Sequence, residues 1–162
     1  MPHLRLEVPE DWLRADFIEA TGFDAGKLLD HLVEVVAGLR MDKPTIEESG
    51  PEDRTAAAEA NPPEPVLMIN KRNLKHALIP VHHSGVGGNR SKGFLHLTFS
   101  AGNDKPGRTA SVRRHAAHTL GDAIDSFVGD LPGLESVTVH VVDIARDRGY
   151  STTAERGRKR SR

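Results

Sequence analysis

The chain contains no cysteine, which removes disulfides, thiolate nucleophiles and thiolate metal ligands from consideration. Aromatic residues are scarce at 4%, so few rings are available to stack on the bases of single-stranded nucleic acid. Charge of neither sign dominates, and a formal net charge of −1 gives no whole-molecule attraction to nucleic acid or to an anionic surface. No apolar run approaches the ~20 residues of a membrane-spanning helix, and the charged amino-terminal stretch lacks the apolar segment of a secretory leader. These absences predict a cytoplasmic protein without membrane association, and they speak against nucleic acid as a partner. Of the 162 residues, 37% are hydrophobic, enough for one modest core of Leu, Val, Ile and Ala.

What charge there is lies unevenly. Asp42, Glu47, Glu48, Glu52, Asp53, Glu59 and Glu64 are offset only by Lys43 and Arg54, and they are interspersed with Pro44, Gly50, Pro51, Pro62, Pro63 and Pro65. A stretch of that composition cannot bury enough apolar surface to order itself and reads as an acidic, mobile insertion over about 41–65. The far end is the reverse: Arg146, Arg148, Arg156, Arg158, Lys159, Arg160 and Arg162 make 146–162 a basic, flexible, solvated tail. The expected organisation is a single domain over 1–145, interrupted by the insertion and followed by the tail.

Within that domain, Pro2-His3-Leu4-Arg5-Leu6-Glu7-Val8 alternates polar and apolar side chains and reads as a strand. Asp24 stands as an N-cap ahead of Leu28, Leu29, Leu32, Val35, Val36 and Leu39, which predicts a helix near 24–40. A short apolar run, Val66–Asn70, precedes a second strand over Leu74–His82. That strand enters the glycine-rich segment His83–Asn89, and Gly93–Phe99 restarts the alternation as the other arm of a hairpin. Thr109 or Ser111 caps a second helix with Val112, Ala116, Leu120, Ala123, Ile124 and Phe127 on one face, and Ser136–Asp143 closes the domain as a strand. The order is β-α-β, twice. Right-handed crossovers then place both helices on one face of a joined four-stranded sheet, an α/β (α+β) fold. The other face is left bare, and an apolar face of that size predicts a closed oligomer.

Pro2 follows Met1 directly, and a small second residue favours removal of the initiator methionine. A proline exposed in this way carries a secondary amine, not an amide nitrogen. An α-amino group titrates at roughly 7.7 to 8 when unperturbed, and burial lowers that value, so such a proline is a candidate base at neutral pH. Other candidates are weaker. His82 and His83 point to opposite sides of a strand, His115 and His118 sit on an arginine-containing helix, and no His-Glu-x-x-His pattern is present, so no metal is expected. The run Gly85-Val86-Gly87-Gly88-Asn89-Arg90 lacks the lysine and hydroxyl spacing of a phosphate loop and falls between two strands.

Taken together, the Pro2-His3 start, the β-α-β duplication, the segment Phe94-Leu95-His96-Leu97-Thr98-Phe99 and Gly107-Arg108 opening the second helix resemble the 5-carboxymethyl-2-hydroxymuconate isomerase family of the tautomerase superfamily. The likeness is fuller over Leu74–Asp143 than over the first strand and helix. It implies a duplicated tautomerase-like fold, a homotrimer and no cofactor. It also implies an isomerase acting on a small unsaturated keto or hydroxy carboxylic acid of aromatic catabolism, with Pro2 as general base and Arg108 binding a carboxylate. One position departs from the pattern. Where the family carries another arginine early in its second strand, this chain reads Asn73-Leu74-Lys75-His76-Ala77, leaving Lys75 and His76 as the candidate substrate-binding cations. Neither is a planar fork like arginine. The alternative reading is a non-catalytic oligomer of the same fold, binding a small ligand or serving as an interaction scaffold.

Overall fold

The computed structural model describes residues 2–41, 66–82, 86, 89, 92–102 and 110–144. Most of the acidic insertion, the basic tail, Thr109 and Arg108 lie outside the described residues. Strand β1, His3–Pro9, is followed by a 3-10 turn, Glu10–Leu13, and by helices α1, Ala15–Thr21, and α2, Ala25–Gly38. Two short strands, β2 (Arg40–Met41) and β3 (Val66–Leu67), pair as an antiparallel ribbon at the ends of the insertion. A second 3-10 turn, Lys71–Asn73, leads to β4, Lys75–Val81; then come β5, Gly93–Gly102, helix α3, Ala110–Val128, and β6, Leu134–Ile144.

Asp24 caps α2 as its position requires, its carboxylate accepting from the backbone N–H groups of Gly26 and Lys27. Ser111 does not cap α3, because the helix is already under way at Ala110. The first turn of α3 begins two residues earlier than a Ser111 cap allows. Helix α1 and the β2–β3 ribbon have no counterpart in the sequence reading.

The main sheet runs β4-β1-β5-β6, with β1 parallel to β4, antiparallel to β5, and β5 parallel to β6. This is the duplicated β-α-β arrangement, joined through the central β1–β5 pair. It also corrects one expectation. Strands β4 and β5 are not the arms of a hairpin, because β1 lies between them and takes the hydrogen bonds of both. The two parallel β-α-β units meet on their first strands, β1 and β5.

Alternation along the strands sorts the two faces. Leu4, Leu6 and Val8 of β1 and Leu95, Leu97, Phe99 and Ala101 of β5 are buried under Leu28, Leu32 and Val36 of α2 and Ala116, Leu120 and Ile124 of α3. At ~25 cal/mol per Å2 of apolar surface removed from water, burial of this kind supplies the main driving force for the fold. Val33 joins this core where Val35 was expected, and Val35 packs at its margin.

The opposite face differs from expectation. Its register rows read Lys75, His3, Ser100, Val142; then Ala77, Arg5, Thr98, His140; then Ile79, Glu7, His96, Thr138. An apolar face was anticipated, yet its centre is polar and charged, with apolar side chains confined mostly to the β4 flank and Val142. The odd positions of β1 account for this, since His3, Arg5 and Glu7 alternate against Leu4, Leu6 and Val8.

Candidate active site

The amino-terminal end of β1 is the point where the fold collects its candidate groups. Pro2 is half-buried, and its carbonyl oxygen accepts a hydrogen bond of 3.1 Å from the backbone N–H of Lys75, the first residue of the neighbouring parallel strand. Because β1 and β4 are parallel and β5 antiparallel, the starts of β1 and β4 and the end of β5 share one edge. His3 is the direct neighbour of Lys75 on one side and of Ser100 on the other. Strand β5 then ends at Gly102 on this edge, and α3 opens at Ala110. Arg108 itself is outside the described residues.

The crossover helix α2 runs back to the same end. Its C-terminus continues through Leu39, whose carbonyl accepts from Met68 N–H at 2.8 Å, and Leu39, Met41, Met68, Ile69 and Leu74 form a buried apolar group there. Lys71 of the turn before β4 pairs with Glu34 of α2, a surface ion pair that spends the charge of Lys71.

Lys75 and His76 are both exposed, but they are not brought together. Lys75 shares its register row with His3, whereas His76 shares one with buried Leu4 and so belongs to the helix side of the sheet. Only Lys75 lies on the side of the charged rows. Its neighbour Arg5, absent from the sequence candidates, stands one row deeper on that face.

The electrostatics of this corner are legible at His3. Its pKa is lowered from the ordinary 6.5, first by burial and then by the positive charges of the chain terminus, Lys75 and Arg5. His3 therefore favours the neutral ring at pH 7, in a corner where cations converge.

A second titratable group lies further along the same face. His96 Nδ1 is 3.6 Å from a Glu7 carboxylate oxygen, its ring stands edge-to-face with His140 at 5.0 Å, and its buried Nε2 has no hydrogen-bond partner among the described residues. His82 at the opposite end of β4 pairs with Glu10. Among the described residues, no group of three or more His, Asp or Glu side chains is placed to hold a metal ion, and no helix is long and apolar enough to cross a membrane.

No protein-family model matches the sequence, and no curated protein does. Solved structures do. A 5-carboxymethyl-2-hydroxymuconate delta-isomerase superimposes with a TM-score of 0.62 at 15% identity, over 94% of this chain and 87% of its own. A 5-carboxymethyl-2-hydroxymuconate isomerase from Deinococcus radiodurans R1 gives a TM-score of 0.51 at 13% identity, over 98% and 93% of the two chains. A fused 4-OT symmetric trimer gives 0.51 at 12% identity, over 93% and 92%. The chain has the tautomerase fold. At these identities the likeness establishes the architecture, and its neighbours in that architecture include isomerases.

At the start of β1 the sequence names Pro2 and Lys75 as candidates and does not name their neighbours Arg5 and Ser100. The alternation of His3, Arg5 and Glu7 against Leu4, Leu6 and Val8 already placed Arg5 on the face of His3. The proximity of Lys75 and Ser100 required the register of three strands, which one sequence does not carry.

Proposed function

We propose that this protein is a cofactor-independent isomerase or tautomerase that moves a proton on an unsaturated keto or hydroxy carboxylic acid, with the amine of Pro2 as general base. The observation that carries this reading is the position of Pro2. It is half-buried at the head of a central strand in the tautomerase fold and anchored by the bond from Lys75 N–H to its carbonyl. The chemistry follows from a neutral amine at that point. The Pro2 nitrogen takes a proton from the carbon next to the enol or carbonyl, the electron pair left behind spreads along the conjugated system, and the proton returns from nitrogen to a carbon further along. Atoms and charge balance, and the amine emerges neutral.

The reading requires the Pro2 amine to be uncharged at working pH, the form that accepts a proton. Arg108, two residues before α3 in the chain, is assigned to a substrate carboxylate by its guanidinium fork, and Lys75 is a second candidate cation. His76, on the other side of the sheet, is a weaker member of this set. The trimer among the fold neighbours supports a homotrimer for this chain.

Two measurements test the reading. An intact mass of the protein shows whether Met1 is gone, since a retained Met1 leaves Pro2 acylated and without basicity. Turnover of a conjugated enol acid, followed by loss of its absorbance, reports the reaction directly. A processed protein without turnover on any enol acid points to the non-catalytic oligomer instead.

A further inference from the structure

We propose that His96 and His140, on the uncovered face of the sheet, bind a divalent transition-metal ion of the zinc class, with Glu7 fixing the His96 ring from its other side. The register brings these residues together. His96 of β5 stands directly opposite Glu7 of β1 and Thr138 of β6, and His140, two residues beyond Thr138, is its diagonal neighbour. A Glu7 carboxylate oxygen lies 3.6 Å from His96 Nδ1, a contact that favours the tautomer with its proton on Nδ1 and leaves a lone pair on Nε2. That Nε2 is buried and has no hydrogen-bond partner among the described residues. A buried polar atom in this state calls for a ligand, and a transition-metal ion suits an imidazole lone pair.

The second imidazole stands at the separation an ion requires. With Zn–N bonds of about 2.0–2.1 Å and angles near tetrahedral, two imidazoles on one ion have ring centres ~5 Å apart. The His96 and His140 centroids are 5.0 Å apart, with the ring planes at 86°. The rings meet edge to face, and exposed His140 is the one that turns about its broad χ2 to point a nitrogen at the ion. Charge fits as well: Glu7 offsets part of the ion's charge, whereas Arg5 lies in the row of His140 with Thr98 between them. Two protein ligands are fewer than those of a closed structural site, so water completes the shell and the ion exchanges with solvent. The ion takes no part in the isomerase reaction, and the site stands or falls apart from that reading.

Zn²⁺ is the probe, titrated calorimetrically into the full-length protein after treatment with a chelator. His96→Gln and His140→Gln are each expected to weaken binding about tenfold or more, and Glu7→Gln to weaken it about tenfold, as loss of a carboxylate behind a ligating histidine does. The double variant His115→Gln/His118→Gln, which removes the exposed histidine pair of α3, should bind like the parent. Zn²⁺ should also raise the urea midpoint of the parent and leave that of His140→Gln unmoved, because an ion held only by the folded chain stabilises it. His140 is exposed, so its variant carries the test even where His96→Gln fails to fold. Absence of Zn²⁺ binding in the parent, or binding unaltered in His140→Gln, overturns the site. Binding lost in the α3 double variant instead overturns it too and moves the ion to the helix.

Discussion

Replacing Pro2 by Ala leaves an amine at the same place but changes its substitution, its geometry and its hold on the strand. A positioned base contributes about 10²- to 10⁴-fold to rate, so Pro2→Ala is expected to lower turnover within that range without disturbing assembly. Unchanged steady-state turnover would remove proline from the mechanism. Arg108→Ala is expected to weaken a carboxylate substrate by much more than the matching ester, because only the acid offers an anion to the fork. Equal losses on the acid and its ester would reduce Arg108 to a positioning role. His3 makes a prediction in pH. Its folded-state pKa lies below the 6.5 of the unfolded chain, so below about pH 6.5 the unfolded state binds more protons and folding stability falls as pH drops toward the lowered value. His3→Gln should flatten that decline, as read from urea unfolding midpoints at pH 7 and pH 5. A decline of the same slope in the variant would assign the acid sensitivity to other groups.

The elements were legible where local chemistry decides them. The cap at Asp24, the apolar stripe of α2 and the alternation of β1 and β5 each need only neighbouring residues, and all three appear where the sequence puts them, apart from Val33 taking the core place expected of Val35. The order of strands was another matter. Leu74–His82 and Gly93–Phe99 look like a hairpin because a glycine-rich stretch separates them, and nothing local records that β1 inserts between them. Pro2 and Lys75 can be named as candidates from the sequence alone, whereas the place of Arg5 in the row next to His3 comes from register. Gly93 shows the same limit. A Cβ added there would stand 2.4 Å from the Trp12 ring, which is buried, stacked on Phe17 at 5.4 Å and edge-on to Phe23 at 5.9 Å. The ring has little room to yield, so Gly93→Ala should cost about 1–3 kcal/mol in a denaturant titration, whereas exposed Gly38→Ala, with open space at its Cβ, should not destabilise α2. Equal stability of the two variants would show that Trp12 can shift.

At the scale of the molecule, the polar centre of the uncovered face changes how association is to be understood. A face built of His3, Arg5, Glu7, Thr98 and His140 is poorly suited to a dry interface, so in the proposed trimer contacts between copies are expected at the apolar β4 flank and the outer edge of β6. Light scattering is expected to give about three times the 17.7 kDa of one chain, and a monodisperse 17.7 kDa species at micromolar concentration would contradict the trimer. The ribbon β2–β3 has a consequence of a different kind. Met41 and Val66 are paired residues, so the two ends of the segment 42–65 are held at a single point. In polymer terms, residues 42–65 form a ring closed by a two-rung clamp, and the cost of closing a ring grows only with the logarithm of its length. That makes the insertion a cassette. Exchanging it for an Asn-Gly turn should leave the sheet and core in place and raise the urea midpoint by an amount equivalent to about 2 kcal/mol of closure entropy.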